Sequence, residues 1–237
     1  MNRKQLKRRA RHAYMDTPRL YLTTLVYLAI LFLLTLVSNR INTVIADWTS
    51  NAMRFIEAGT AVPLYTKREW AATLFTFVLE VMMQIVTVGY MSFALNISRH
   101  RRTGMADLAD GFSITFKVFA LAFLQGMFIT LWSLLLVVPG IVAAYRYRQA
   151  YYILLDDPDK GPLQCIRESK ELMRGHKGEL FVLDMSFLGW SILILLSASI
   201  LAIWILPYLE TTYAMYYNML LYPDGVFPAP PEEVNEE

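Results

Sequence analysis

The sequence predicts an all-α fold: a polytopic transmembrane helical bundle of about six spans, with additional interfacial amphipathic helices. Hydrophobic residues make up 56% of the 237-residue chain and charged residues only 18%, whereas soluble domains carry about 25% charged residues. The mean hydropathy is +0.37. Uncharged runs long enough to cross about 30 Å of hydrocarbon alternate with basic segments. We therefore expect one integral-membrane domain over residues 1–221 and a disordered acidic tail over 222–237.

The first span is predicted at 20–38, because no charge occurs between Leu20 and Val37. A signal peptide cleaved after Val44-Ile45-Ala46 is the alternative interpretation. The apolar cores of signal peptides, however, are only about 7 to 15 residues long. We therefore favour a retained membrane anchor.

A one-sided apolar stripe follows the first span and predicts an interfacial helix that lies on the bilayer surface. Gly59 and Pro63 are expected to end this helix. The stripe recurs at helical spacing and consists of Ile41, Val44, Ile45, Trp48 and Ala52.

The other spans are predicted from apolar runs that turn signals divide. Pro139-Gly140 is a strong turn signal and stops the third span. The small residues 197–199 divide the last apolar stretch into two crossings, and Pro207 is expected to kink the final one. The predicted spans are 71–97, 117–138, 141–155, 179–197 and 200–221.

A polar turn between the fourth and fifth spans is predicted to start an amphipathic helix. Pro162 suits its first turn, and Gly175 is a plausible C-terminal stop. Its apolar side is expected to contain Leu163, Ile166, Leu172 and Met173. The only cysteine, Cys165, lies in this helix, so we expect an impermeant thiol reagent to label it only in opened cells.

The distribution of lysine and arginine predicts that both termini are cytoplasmic. With six crossings and the N-terminus inside, seven of the 22 basic residues lie in the N-terminal segment, four in 97–117 and five in 156–178. Two, Arg146 and Arg148, remain within a span. Excess basic residues mark cytoplasmic loops. Only four basic residues then face outward: Arg40, Arg54, Lys67 and Arg68.

The same count constrains segment 141–155, which is short for a full crossing. Basic loops precede the third span and follow this segment, so both loops belong on the same side of the membrane. The chain between them therefore forms a hairpin, which either crosses the bilayer completely or turns within it.

Several segments resemble a bacterial integral-membrane family known as domain of unknown function 975. The pieces that carry the resemblance, in chain order, are 2–7, 107–108, 111–112, 131–141 (LWSLLLVVPGI), 152–154, 157–158, 168–170, 172–177, 187–190 and 206–208. The resemblance implies a multi-span protein of the cytoplasmic membrane, mainly of Gram-positive bacteria, with no established activity. Arg148 stands where the family pattern implies a small or polar residue, and Glu210 where it implies glutamine.

Four ionisable residues inside predicted spans form the candidate intramembrane polar site: Glu80, Arg146, Arg148 and Glu210. A charge at the bilayer centre costs at least about 2.5 kcal/mol, so these side chains should face the bundle interior or one another. A pairing of Arg146 with Glu80 or Glu210 is geometrically reasonable. One hypothesis is an ion, proton or anionic-substrate site. The favoured one is a polar clamp between helices, or arginines that extend toward an interface.

Asp184 lies only about five residues inside the cytoplasmic edge of its span and is interpreted as hydrated. No catalytic group set, cofactor site or metal site is predicted. The three histidines, His12, His100 and His176, have no second ligand at a metal-like spacing. The basic segments are explained by membrane orientation and anionic lipid headgroups rather than by nucleic acid.

The leading hypothesis is therefore a non-enzymatic bundle of the cytoplasmic membrane that acts through lipid or membrane-protein partners, or as a homo-oligomer. The basic N-terminal arm and the amphipathic helix over 163–175 would be its contact surfaces. The alternative is a small-molecule or ion transporter built around the intramembrane Glu and Arg residues, with broken helices at Pro139-Gly140 and Pro207.

Overall fold

The computed structural model of the protein describes residues 3–15, 17, 19–60 and 66–223. Every regular element in these ranges is a helix, which confirms the all-α prediction. The elements are α1 (Arg3–Met15), α2 (Leu20–Glu57), α3 (Lys67–Ser98), a 3₁₀ helix (Met105–Ala109), α4 (Asp110–Ser113), α5 (Thr115–Leu135), α6 (Val137–Tyr147), α7 (Ala150–Asp156), α8 (Pro162–Leu172), α9 (Lys177–Met185), α10 (Leu188–Leu196) and α11 (Ala202–Leu221).

Four helical segments of the described chain are long and apolar enough to cross a membrane: α2, α3, α5 and the consecutive pair α9–α10, Lys177–Leu196. The other two predicted crossings have a different character. Segment 141–155 is divided between α6 and α7. Helix α11 has the required length, but Pro207, Glu210 and many polar residues lie within it. Six crossings therefore remain a prediction.

Helix α2 is longer than predicted and continues without interruption from Leu20 to Glu57. At 1.5 Å per residue its 38 residues extend about 57 Å. The prediction of a separate helix over 41–52 was wrong, because no glycine or proline interrupts the chain before Gly59. Gly59 adopts a positive φ of 65° just after the helix ends, as predicted. The apolar stripe is the partly or fully buried side of α2 and packs with α3.

Helices α2 and α3 form an antiparallel hairpin that aromatic and hydroxyl side chains hold together. The rings of Tyr27 and Tyr90 stack at 4.2 Å between centroids. The hydroxyls of Thr24 and Tyr90 lie 3.0 Å apart in a buried hydrogen bond. Further along, the Thr76 hydroxyl donates to the side-chain carbonyl of Asn42 at 3.3 Å. Because these pairs run in opposite order along the two helices, they fix the register of the hairpin.

The chain folds back along α3 after that helix ends, and two glycines permit this close packing. An added Cβ at Gly89 would overlap the backbone carbonyl of Leu108, and one at Gly111 would overlap the carbonyl of Ile85. Ser92 on α3 also donates a 2.5 Å hydrogen bond to the Asp110 carboxylate. Residues 105–113 are therefore held tightly against α3 before α5 begins.

Helices α5 and α6 form a second antiparallel hairpin whose turn comes earlier than predicted. Helix α5 ends at Leu135, and Leu136 is extended. Pro139 lies in the first turn of α6, where its missing N–H costs no hydrogen bond. Gly140 does not form the turn; it allows α6 to approach α5, since an added Cβ would overlap the Ser133 hydroxyl. The predicted stop at Val138 is thus corrected to Leu135.

Helix α8 begins with Pro162 at its first turn, as predicted. Gly175, with a φ of 81°, lies in the turn that follows. The predicted apolar side is partly wrong, because Leu163 is 56% exposed whereas Cys165 and Ser169 are fully buried. Leu163 therefore lies outside the face of α8 that packs on α5 and α7.

The Cys165 thiol is less accessible than the labelling expectation requires. Its side chain is 0% exposed, and burial raises the pKa of the thiol to about 11. Because the thiolate is the reactive form, Cys165 of the folded protein will react slowly from either side of a membrane. The expected labelling of Cys165 is therefore no measure of topology.

The division between α10 and α11 lies where the small residues predicted it. Ala198 and Ser199 both adopt left-handed backbone conformations, with φ of 49° and 68°. Helix α11 then continues through Pro207 to Leu221 and packs against α1 and α3. The predicted acidic tail lies almost entirely outside the described residues, which end at Pro223.

Helix α1 is amphipathic and packs on α11 and α3 through one side. Leu6, Ala10 and Ala13 are at most 3% exposed. Lys7 donates a 2.7 Å hydrogen bond to the Ser186 hydroxyl and lies 4.0 Å from the centre of the Phe187 ring. The basic N-terminal arm is therefore an ordered part of the bundle over α1.

Candidate functional site

Arg148 lies at the junction of α6 and α7 and has the most unusual environment among the predicted polar residues. Its guanidinium lies over the Tyr213 ring of α11, 4.9 Å from the centroid. It interacts electrostatically with Glu210 and Asp184. Among the described residues, no hydrogen bond or ion pair engages this guanidinium, and the side chain is exposed. Its donors are therefore available to a ligand.

Asp184 of α9 is the fixed carboxylate beside Arg148. The hydroxyls of Tyr145 and Tyr213 each donate to one of its two oxygens at 2.8 Å. Tyr145 comes from α6 and Tyr213 from α11, so Asp184 connects three helices. The interpretation of Asp184 as merely hydrated overlooked this role, since neither tyrosine is close to Asp184 in the sequence.

Glu210 is the second carboxylate and lies one turn before Tyr213 on α11. It is partly exposed and interacts electrostatically with Arg148. The two groups do not form an ion pair, and no hydrogen bond to Glu210 occurs in the described ranges. Arg148 and Glu210 are the two positions that depart from the expected family pattern, and the structure brings them together.

We call these five residues the Arg148 cluster; its members are Tyr145, Arg148, Asp184, Glu210 and Tyr213. The cluster combines one cation and two carboxylates from α6, α9, α11 and the α6–α7 junction. Each oxygen of Asp184 accepts a hydrogen bond from a hydroxyl group, whereas no hydrogen bond within the described residues engages the side chain of Arg148 or Glu210. The arrangement can therefore hold a polar ligand between a positive and a negative group.

Ser169 of α8 fixes the chain at the α6–α7 junction that carries Arg148. Its hydroxyl donates to the Arg146 carbonyl at 2.9 Å and accepts a 3.2 Å hydrogen bond from the Gln149 backbone N–H. The Gln125 amide of α5 donates to the Tyr147 carbonyl at 3.1 Å. These bonds satisfy backbone groups that a helix break exposes, and so stabilise the position of Arg148.

Glu80 and Arg146 do not join the cluster. Glu80 is exposed in an apolar groove between α3 and α5, lined by Phe77, Phe119 and Phe123 among others. The Nε of Arg146 is buried and has no hydrogen-bond partner among the residues that the structure describes. No ion pair within the described part of the chain joins Arg146 to Glu80 or to Glu210. Of the four predicted site residues, the structure brings together only Arg148 and Glu210.

A second polar cluster, the Arg99 junction, lies at the shared C-terminal end of α3, α7 and α11. The Arg99 guanidinium makes two hydrogen bonds to Asp156, at 2.5 and 2.8 Å. Its Nε donates to Asn218 at 2.9 Å, and Asn218 donates to Ser98 at 2.7 Å. Tyr217 also donates to Asp156 at 2.8 Å. The side chain of Arg99 is only 4% exposed, so this junction is a structural connection.

A cationic groove lies beside the Arg99 junction, between α1 and the chain that follows α3. It is lined by Leu6, Arg9, His12, Ser98, His100, Met215 and Met219. A neighbouring groove includes Arg101 and Arg102. His12 and His100 thus share a groove. In the described residues, no group of three or more His, Cys, Asp or Glu side chains is arranged to hold a metal ion.

Large apolar side chains are exposed on the outside of the spanning-length helices, including Phe32 on α2, Leu134 on α5 and Leu195 on α10. Soluble monomers rarely expose contiguous apolar patches of this extent. Together with the four apolar helices, this surface is typical of α-helical membrane proteins.

A sequence comparison matches part of the chain to a known family. Residues 133–222 match the family described as "Protein of unknown function (DUF975)", which confirms the predicted resemblance. This segment contains the whole Arg148 cluster. No curated protein and no solved structure matches the chain.

Proposed function

We propose that the chain is a multi-pass protein of the bacterial cytoplasmic membrane that is not an enzyme and acts by binding anionic lipid headgroups. Both termini would lie on the cytoplasmic side. The observation that carries the proposal is the cationic groove, in which Arg9 and His12 of α1 adjoin His100 after α3. A membrane-protein partner or a second copy of the chain is the alternative occupant of this surface.

Helix α1 supports the proposal through the division of its two sides. Its apolar side is buried against the bundle, and Lys4, Arg8, Arg9 and Arg11 are exposed on the other. A basic residue near an anionic membrane surface contributes about 1 kcal/mol to binding. Because α1 is docked along the bundle, these charges are held together rather than spread along a mobile arm.

The Arg99 junction supports the orientation. Its hydrogen bonds join the C-terminal ends of α3, α7 and α11. Lys117, at the start of α5, also donates to the Pro158 carbonyl near this end. The charge distribution assigns all of these ends to the cytoplasmic side. In the proposed orientation, the three most basic segments, 1–19, 97–117 and 156–178, would lie at the same membrane surface.

Lipid binding is tested with the full-length chain in mild detergent, titrated with phosphatidylglycerol or phosphatidylcholine and followed by native mass spectrometry. We expect preferential retention of phosphatidylglycerol. The double variant Arg8→Gln/Arg9→Gln should weaken it about thirtyfold, since it removes two charges worth about 1 kcal/mol each. The matched control is Arg40→Gln/Arg54→Gln, which removes two exposed cations of α2. Equal losses in both variants, or no lipid preference, would contradict the proposal.

Orientation is tested with new cysteines at exposed positions, because Cys165 is buried. Ala58→Cys lies just after α2 and Ala106→Cys lies in the 3₁₀ helix. In intact cells an impermeant maleimide should label the first variant only, and after lysis it should label both. Labelling of Ala106→Cys but not of Ala58→Cys in intact cells would show that the orientation is opposite to the proposed one. The lipid-binding measurement does not depend on this result.

A further inference from the structure

We propose that the Arg148 cluster binds a small zwitterion, with its carboxylate or phosphate on Arg148 and its primary ammonium on Glu210. This inference is independent of lipid binding at the cationic groove, because α1 contributes no residue to the Arg148 cluster. Free amino acids and phosphoethanolamine headgroups share the required chemistry. The sources differ in whether the ligand arrives from water or from the bilayer.

The guanidinium of Arg148 is the part of the cluster that is prepared for an anion. Arginine presents five N–H donors in a planar fork that matches carboxylate and phosphate groups. Here no protein acceptor among the described residues occupies that fork, and only the Tyr213 ring contacts it. The ring contacts the guanidinium, and the residue as a whole is exposed.

The sign of the surrounding charge selects a zwitterion over a simple ion. Asp184 and Glu210 both lie within electrostatic range of Arg148, so an anion alone would meet two carboxylates. A cation alone would meet Arg148. A ligand that carries both charges satisfies Arg148 and Glu210 together, and it closes an ion pair that the protein leaves open.

Asp184 positions the site rather than binding the ligand. Both of its oxygens already accept hydrogen bonds from tyrosine hydroxyls. One of those tyrosines, Tyr213, also carries the ring beneath Arg148. Asp184 therefore fixes the ring, the ring orients the guanidinium, and Glu210 remains the carboxylate that is free to accept an ammonium group.

The test uses the full-length chain in detergent and isothermal titration with two probes, L-alanine and O-phosphoethanolamine. We expect at least one probe to bind, and Arg148→Gln or Glu210→Gln to weaken that binding at least about tenfold, as loss of a charge-assisted pair does. Inorganic phosphate should bind at least about tenfold more weakly than the zwitterion. The matched controls are Arg40→Gln and Glu80→Gln, which remove exposed charges outside the cluster and should leave binding unchanged.

Two further measurements distinguish binding from a structural clamp. The exchanged pair Arg148→Glu/Glu210→Arg should recover part of the lost affinity, whereas each single exchange should abolish it. Nanodiscs with and without phosphatidylethanolamine separate the two sources, since a headgroup ligand would compete with soluble phosphoethanolamine. The proposal is overturned if neither probe binds at millimolar concentration, or if Arg148→Gln and Glu210→Gln lower the melting temperature without changing probe affinity.

Discussion

The Arg99 junction and the Arg148 cluster each bring an arginine close to carboxylates from other helices, yet the two arginines are used differently. Arg99 is almost fully buried and hydrogen-bonded to Asp156 and Asn218. Arg148 is exposed and contacts only an aromatic ring among the described residues. The Arg99 guanidinium forms hydrogen bonds that connect three helix ends, whereas no hydrogen bond in the described residues engages the Arg148 guanidinium.

The largest expected effect is on stability and separates the two arginines. Arg99→Gln should destabilise the protein by about 3 kcal/mol, because it leaves Asp156 without its bidentate partner. Arg148→Gln should change stability by less than about 1 kcal/mol, since no hydrogen bond is lost. Thermal unfolding in detergent, followed by tryptophan fluorescence, measures both variants. Equal decreases in melting temperature for Arg99→Gln and Arg148→Gln would contradict the conclusion that only Arg99 has a structural role.

An intermediate effect is expected from the residue that supports the cluster. Ser169→Ala should destabilise the protein by about 1 to 3 kcal/mol, because the Arg146 carbonyl and the Gln149 N–H lose a buried partner. It should also weaken probe binding at Arg148, since the α6–α7 junction loses its anchor on α8. Ser191→Ala, which removes a hydroxyl bonded within its own helix segment, is the control. An unchanged melting temperature for Ser169→Ala would contradict this support.

The smallest effect is expected from the partly exposed pair of Lys160, which precedes α8, and Glu168, which lies on α8. Burial alone would raise the pKa of Glu168. Hydrogen bonds from Lys160 and Gln164 outweigh this effect and hold the pKa below its usual value. The pair therefore stabilises the fold above the ordinary pKa of glutamate, and this contribution is lost as the pH falls through the lowered folded pKa. Surface pairs contribute at most about 1 kcal/mol.

Comparison of the melting temperature at pH 7 and pH 3 measures this contribution. The decrease on acidification should be smaller in Glu168→Gln than in the unmodified chain, with Glu171→Gln, four residues from Arg167 on the exposed side of α8, as the control. An identical decrease in the chain with and without Glu168 would show that the pair contributes nothing.

Local signals in the sequence were sufficient for several helix boundaries. Pro162 begins α8, Gly59 follows the end of α2, and residues 197–199 separate α10 from α11, as predicted. Each of these depends on the backbone preference of one or two residues. The unbroken α2 was missed because a change in composition after Val37 suggested a boundary, although no residue there interrupts a helix.

Contacts between distant segments were harder to predict. Gly140 was interpreted as a turn residue, because the sequence does not show that Ser133 packs against it. The charged residues of the spans were correctly recognised as unusual, but their partners depend on tertiary packing. Asp184 was set aside, since its two tyrosine donors lie 39 and 29 residues away.

The connection between α10 and α11 places two consecutive residues, Ala198 and Ser199, in the left-handed region. Each non-glycine residue held there costs on the order of 1 kcal/mol. The backbone of this linker is therefore strained. Asp184 lies near the C-terminal end of α9, and α10 separates it from this linker. Ala198→Gly should therefore relieve the backbone strain at one of these two positions, because glycine adopts a positive φ without a steric cost.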